Sequence, residues 1–276
     1  MKEDRRKMGA IPPAVTAGLA AMLLALVLAT VRVEWAAVPL FIFVVLCVAA
    51  AFHPEYGFIM PVISRGRTGR SAVALTFDDG PDPATTPVLL QLLDRHGVRG
   101  AFFVTGERAG QYEHLVSAIL ERGHDIGNHS YSHDPFLMLR RTERLLREIA
   151  STQTLLRRFG IAPLAFRPPV GIANSKLANV LRKVGLYCVI FSCRAGDFGN
   201  RRIHGLAGKI LKRVKADDII LLHDVRPRST GGVEEWLHEV DLILVGLKNK
   251  GLEVIPLSEL IARPVMVKVA RLNAEC

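Results

Sequence analysis

Residues 72–83 read AVALTFDDGPDP: an apolar run from Ala72 to Phe77 ends abruptly in Asp78 and Asp79, followed by Gly80, Pro81 and Pro83. A short apolar run closed by a cluster of turn residues predicts a buried strand. One acid after such a strand is an ordinary turn residue. Two adjacent acids must each be solvated, paired or bound to a metal, because an uncompensated carboxylate beside a core is costly.

The same punctuation repeats outward from this point. Strands are predicted over AVALTF (72–77), GAFFVT (100–105), HDIGNH (124–129), LAFRPP (164–169), YCVIFS (187–192), DIILLH (218–223) and LEVIPL (252–257). Between them, one helix is predicted from about Thr86, with Pro87 suited to its first turn, to a stop at Gly97. A second covers Arg140 to Arg158, and Asn174 or Ser175 caps a third reaching Val184. Strands alternating with helices imply an α/β fold with a parallel sheet and right-handed crossovers, as a barrel or an open doubly wound sheet. No Gly-rich phosphate fingerprint opens the first helix, which counts against the nucleotide-binding open sheet.

Polar residues stand at the C-terminal ends of these strands: Asp78 and Asp79 after the first, His129 at the third, Arg167 at the fourth, Asp197 just past the fifth and His223 at the sixth. In a parallel barrel these ends share one face, where catalytic residues gather. His129 and His133 are four apart in NHSYSH, which on a helical turn brings two imidazoles within reach of one ion. Alone, that pair is a weak signal. A carboxylate from a neighbouring strand end makes three protein ligands and leaves positions for water and substrate. Zinc leads for such a donor set, with cobalt, nickel, iron and manganese also compatible. One aspartate then ligates the ion while the other takes a proton from water. Adjacent side chains of an extended segment point opposite ways, so the two acids fit poorly on either side of a glycosidic bond. His223 stands to protonate a leaving amine, Arg167 to keep the base ionised and Asp197 to keep the acid protonated. Singly, each also has a plain structural reading, as an ion-pair partner, a turn residue or a strand end.

TFDDGP, HSYSH, RPPVG (167–171), the AGDF segment (195–198) and IILLH (219–223) follow the order of the five motifs of the polysaccharide deacetylase family, the NodB-like family 4 carbohydrate esterases. The sequence from about Val73 to Leu260 resembles that family. The resemblance implies a distorted, incomplete (β/α)7 barrel and metal-dependent hydrolysis of a linear N-acyl amide on an amino sugar. It implies Asp78 as general base, Asp79, His129 and His133 as ligands of a divalent metal (zinc first), Arg167 as the arginine orienting the base, His223 as general acid and Asp197 as its partner. Three positions depart from the pattern. Val170 stands where the third motif commonly has an aromatic, Phe198 replaces the usual tryptophan of the fourth, and Arg194 stands where its first aspartate often lies. A backbone N–H facing a tetrahedral oxyanion survives any side-chain change, so the chemistry is expected to be retained. The surface for stacking on sugar rings shrinks, which disfavours a long polysaccharide groove.

Ahead of this domain, residues 8–31 carry no charge, and residues 11–31 are apolar enough to cross a bilayer as a helix. A break at Arg32-Val33-Glu34 precedes a second run over 36–52, shorter and containing Pro39. A cleavable signal peptide is the rival reading, but its apolar core usually spans about 7–15 residues. The expected organisation is a membrane anchor over 1–63, a basic linker over 64–70 and the deacetylase-like domain over 71–276. Lys2, Arg5, Arg6 and Lys7 precede the first run, and Arg65, Arg67 and Arg70 follow the second. Basic flanks remain cytoplasmic, so the anchor is read as a transmembrane hairpin in a bacterial inner membrane, multi-pass, with the catalytic domain at the cytoplasmic face. If 36–52 lies on the surface instead, the domain faces outward.

The formal charge is +10, with eight Lys/Arg against four Asp/Glu in residues 1–70 and 28 against 22 in the rest. No stacking motif, zinc finger or dense basic helix accompanies it, so nucleic acid is not an expected partner and anionic membrane lipid is. Cys47, Cys188, Cys193 and Cys276 do not form a disulfide framework and are read as reduced thiols. The leading expectation is a membrane-bound deacylase of an N-acetyl or N-formyl amino sugar on a lipid carrier. A peptidoglycan or exopolysaccharide N-deacetylase outside the membrane is the alternative, and an inactive carbohydrate-binding protein the third reading. Arg201 and Arg202 follow Asp197, and Arg226 and Arg228 follow His223; they are candidates for a phosphate contact or ordinary solvated loop charges.

Overall fold

The computed structural model describes residues 12–228 and 231–271. Ile11, the basic residues Lys2, Arg5, Arg6 and Lys7 ahead of it, and Cys276 lie outside the described residues.

Helix α1 (Pro13–Ala29) starts where Pro12 and Pro13 set the backbone for a first turn and ends at Thr30, whose hydroxyl donates to the Val27 carbonyl. A 3-10 turn over Val33–Ala36 leads into α2 (Ala37–Phe52). Pro39 falls in the first turn of α2, where a missing N–H forfeits no helical hydrogen bond, so it does not break the run. Turn and helix together make Val33–Ala51 a 19-residue apolar stretch of mean hydropathy 2.4, long enough to cross a membrane. The 17 residues of α1 span about 25 Å, somewhat short of a hydrocarbon core of about 30 Å. The sequence ranks the first run as the longer; the prolines at its start and the turn at Thr30 trim it below the second. The two helices pack together, with Gly18 against the Phe43 ring. Many of their large side chains, Leu23 and Phe41 among them, point outward.

The remaining chain runs β1 (Ala72–Asp78), α3 (Thr86–His96), β2 (Ala101–Val104), α4 (Gly106–Gln111), α5 (Glu113–Glu121), β3 (Asp125–Asn128), α6 (Thr142–Arg157), β4 (Ile161–Pro163), β5 (Ala165–Phe166), α7 (Ser175–Val184), β6 (Tyr187–Cys188), β7 (Cys193–Arg194), α8 (Leu206–Arg213), β8 (Ile219–His223), α9 (Gly232–Asn249), β9 (Glu253–Val254), α10 (Leu257–Leu260) and β10 (Met266–Lys268). Parallel strands lie in the order β6-β5-β3-β2-β1-β8-β7, with β9 beside the start of β1. Together they form a half-barrel. Its gap falls between β6 and β7 and is spanned at the bottom by the segment before β1. There Ile63 bridges Val189, Arg65 bridges Asp218, and the Gly66 N–H donates to the Asp217 carbonyl at 2.8 Å. A separate antiparallel pair, β4 with β10, covers one side.

Alternation along β1 sets the two sides of the sheet. Val73, Leu75 and Phe77 pack outward with Leu89, Leu93, Val240 and Ile243 from the helices. Ala72 and Ala74 face inward among Ala101, Phe103, Val189 and Ile219, and Asp78 continues their parity at the strand's end. Fully burying leucines such as Leu89 and Leu93 of α3 contributes about 1.5–3 kcal/mol each. That helix ends at Gly97, whose φ of 65° makes the left-handed cap expected of a stop signal. Gly127 of β3 has a different reason: a Cβ there would lie 2.5 Å from the Phe103 ring, which fills the barrel interior beside it. The Asn174 side chain caps α7 by accepting from the Leu177 N–H. Cys188 and Cys193 are unpaired, and burial pushes both thiols up to about 12, leaving them inert.

Candidate active site

The C-terminal ends of the parallel strands converge on an open cleft of about 1410 Å³. Strand register does the first part of this work. Asp78 sits directly opposite His223 on the neighbouring strand, and Asn128 opposite Phe166, so His129 and Arg167 emerge side by side. The cleft is lined by Asp78, Asp79, His129, His133, Asp197 and His223, six of the seven residues expected from the sequence. Arg167 is the seventh. It stands behind Asp78, fully buried.

In a continued strand Asp79 would point away from Asp78. Instead its φ is 72°, and the turn this makes swings its carboxylate to the two histidines. Asp79 Oδ1 lies 3.2 Å from His129 Nε2 and 3.0 Å from His133 Nε2. His129 Nδ1 donates to the Arg167 carbonyl at 2.8 Å, which leaves Nε2 as the lone-pair nitrogen of the neutral ring. Buried Asp79 Oδ1 receives no aligned hydrogen bond. A carboxylate oxygen and two imidazole nitrogens thus face one another, an arrangement that fits a cation. The donor set of one carboxylate and two imidazoles suits zinc or another divalent transition metal. Without the ion, burial would raise the Asp79 carboxyl, but the His129 and His133 rings hold it well below the usual carboxylate range. Burial would lower the His133 ring, and Asp79 more than offsets this, so it lies above its ordinary value.

Asp78 Oδ1 accepts from Arg167 Nη1 at 2.7 Å, while Oδ2 stands 3.8 Å from His129 Nε2. The guanidinium also donates to Thr76 Oγ1 and the Ile190 carbonyl and lies 4.0 Å over the Phe103 ring. Burial lowers the Arg167 pKa, with Asp78 opposing. On the other side, His223 Nδ1 faces Asp197 Oδ2 at 2.6 Å, leaving Nε2 for the cleft. Burial alone would lower this ring; the bond to Asp197, with Asp79 and Asp78 nearby, raises its pKa to about 9.

Further residues, which the sequence reading passed over, hold these groups in place. Glu148 of α6 accepts the N–H groups of Tyr131 and Ser132, fixing the loop that carries His133. Asn200 donates to the carbonyls of His223 and Val225. Asp224 receives the hydroxyls of Thr85 and Thr86; burial pushes its carboxyl up to about 7 despite those bonds. Only Asp224 had a visible signal, as a second polar residue after an apolar strand. At the cleft mouth, Val170 (φ 53°) and Phe198 (φ 52°) are both exposed, and Arg202 stacks on Phe198 with 5.4 Å between guanidinium and ring centre. Arg201, Arg226 and Arg228 line the cleft.

Comparisons with known proteins set the chain beside carbohydrate deacetylases. The family model described as polysaccharide deacetylase matches residues 65–189. A peptidoglycan-N-acetylglucosamine deacetylase of Bacillus cereus is 32% identical over 193 residues, covering 68% of this chain and 87% of the relative. A chitooligosaccharide deacetylase of Azorhizobium caulinodans is 32% identical over 197 residues, covering 68% and 93%. The crystal structure of a peptidoglycan N-acetylglucosamine deacetylase bound to an N-hydroxybenzamide superposes with a TM-score of 0.68 at 30% identity, covering 74% of this chain and 94% of that one.

Proposed function

Because this chain belongs to the polysaccharide deacetylase family, a family of carbohydrate amidohydrolases acting on a non-peptide C–N bond, we propose that it removes an N-acyl group, acetyl or formyl, from an amino sugar held at a membrane. The observation that carries the reading is the register of Asp78 opposite His223, which brings a carboxylate and an imidazole together at one candidate metal site.

Asp79, His129 and His133 would hold the ion, which when bound supplies Lewis acidity for polarising a carbonyl and for making water acidic. Asp78 takes the proton of the attacking water on Oδ2, its Oδ1 being held by Arg167. The water oxygen bonds to the acyl carbon, and the C–N bond breaks as His223 Nε2 gives its proton to the departing nitrogen. A carboxylic acid and a free amino sugar result. Asp197 on Nδ1 orients the ring and favours its protonated form. Arg167 is fully buried and acts through Asp78, as a positioning residue.

We read residues 1–63 as the membrane anchor, 64–70 as a short basic connection and 71–276 as the catalytic domain. Two packed apolar helices and the basic residues on their outer flanks support a hairpin with the domain at the cytoplasmic face. There the domain would meet a lipid-linked sugar before polymerisation. The substrates named for the relatives favour a second reading, deacetylation of peptidoglycan outside the membrane. A C-terminal reporter active only outside the cytoplasm separates the two: strong signal removes the hairpin. Amine release by the zinc-loaded full chain from N-acetyl and N-formyl amino sugars tests the activity itself; release from none of them removes it.

A further inference from the structure

Charge is divided unevenly around the cleft. Five arginines line it from one edge of the sheet: Arg194 in β7, Arg201 after it, Arg213 at the end of α8, and Arg226 and Arg228 after β8. None of the five takes a carboxylate partner among the described residues. The cleft's other arginine, Arg108, is engaged by Asp82 at 2.8 Å. The carboxylates of the cleft are engaged too: Asp78 by Arg167, Asp79 beside the imidazoles and Asp197 by His223. Glu107 follows β2, across β1 from the arginines.

Gathering five like charges in one cleft is unfavourable unless something opposes it, and a concave site concentrates their field. Backbone bonds hold the wall without help from the arginine side chains. The Arg228 N–H donates to the Asn200 carbonyl at 3.2 Å, the Arg201 N–H to the Asp197 carbonyl at 2.9 Å, and the Asn200 amide ties both to the end of β8. The loops bearing Arg201, Arg226 and Arg228 therefore share one framework with the acid pair Asp197–His223. A neutral glycan offers such a wall nothing to neutralise. A phosphate offers several acceptor oxygens to guanidinium forks.

We infer that the amino sugar taken by this cleft carries a phosphoryl or diphosphoryl group bound by Arg194, Arg201, Arg226 and Arg228, next to the amide that is cut. This rests on the deacylase reading and narrows its substrate. A lipid diphosphate and a nucleoside diphosphate present the same chemistry to these side chains.

The test uses the zinc-loaded full chain in detergent with three probes: neutral tetra-N-acetylchitotetraose, uridine-diphospho-N-acetylglucosamine and farnesyl-diphospho-N-acetylglucosamine. Amine release reads hydrolysis and calorimetry reads binding. At least one phosphorylated probe is expected to exceed the neutral one by about tenfold or more in kcat/KM and affinity, the advantage shrinking as salt rises. The better phosphorylated probe identifies the source of the phosphate. Arg201→Ala, Arg226→Ala and Arg228→Ala should each reduce the advantage several-fold, and Arg226→Lys should restore part of it, which a folding defect would not. Equal use of neutral and phosphorylated probes, or variants that weaken both alike, overturns the inference while leaving the deacylase reading intact. Tight binding of a phosphorylated probe with no hydrolysis of any keeps the arginine wall and removes the deacylase.

Discussion

Arg167 Nη1 donates to Asp78 Oδ1 at 2.7 Å, and the whole guanidinium is shut away from solvent. Removing one member of a buried pair strands the other, at a cost of about 3–5 kcal/mol. Arg167→Met should therefore unfold at clearly lower denaturant concentration. It should also lose about 10²-fold in kcat, because the Asp78 carboxylate is then no longer held in place to take a proton from water. Arg167→Lys keeps a charge but cannot reach Thr76, Asp78 and the Ile190 carbonyl together, so an intermediate result is expected. Wild-type stability and turnover in Arg167→Met would show the pair to be idle.

The two adjacent aspartates should separate cleanly by metal content. Asp79→Ala, His129→Ala and His133→Ala each remove one of the three candidate ligands and should lose metal and activity together. His129, almost fully buried and braced by the Arg167 carbonyl, should be the more damaging of the two histidines to replace; His133 is half-open to solvent. Asp78→Asn should keep the metal and lose about 10²-fold or more in kcat. Elemental analysis beside turnover on the same preparations decides, and metal-replete ligand variants would remove the assignment.

The sequence revealed residues that end an apolar strand, because the strand marks itself by its hydrophobic run and the polar residue breaks it. Asp78, His129 and His223 are of this kind, and parallel register alone then brings them together. What turns the Asp79 carboxylate to the two histidines is conformational: a left-handed φ that no pattern of residue types announces. The loop of His133 is likewise no helical turn, for Ser130 and His133 both have positive φ. Glu148 reads as one more charge on a charged helix and Asn200 as one more polar loop residue, since what they do depends on partners elsewhere in the chain. Of the strand expected over 252–257, only Glu253–Val254 pairs; Pro256 then leads into α10. The pairing of β4 with β10 joins residues about a hundred positions apart and leaves no local trace.

His223 should titrate unusually high. In the metal-free protein its pKa is raised to about 9, burial opposing and Asp197 prevailing. The ring thus stays protonated, and able to donate, until the pH rises through about 9. Its contribution to stability has the same sign: complete below the unfolded value of about 6.5 and lost as pH climbs through the folded one. Asp197→Asn removes the main raising influence, so the titration of His223, followed by NMR, should move down. The alkaline limb of kcat/KM should move with it. An unchanged His223 titration in Asp197→Asn would mean that the 2.6 Å contact does not govern this ring.

Glu148 supplies the last prediction, because it braces the loop of the candidate metal site without touching the three candidate ligands. Its carboxylate accepts the Ser132 N–H at 2.8 Å, the Tyr131 N–H at 3.1 Å and the Ser132 hydroxyl at 2.9 Å, and pairs with Arg144 one turn earlier in α6. The segment it holds, residues 130–133, contains Ser130 at φ 65° and His133 at φ 52°. Left-handed non-glycine residues cost about 1–3 kcal/mol each and persist only where surrounding contacts impose them. Glu148→Ala should release the loop, let His133 leave the site and weaken metal binding about 10–100-fold, the usual range for groups that orient a ligand. Glu148→Gln keeps the shape and one acceptor oxygen, so its loss should be smaller. Competition against a chelator of known affinity measures both. Undiminished affinity in Glu148→Ala would show that the backbone bonds from Gly106 to Ser130 and from Glu107 to Tyr131 hold the loop by themselves.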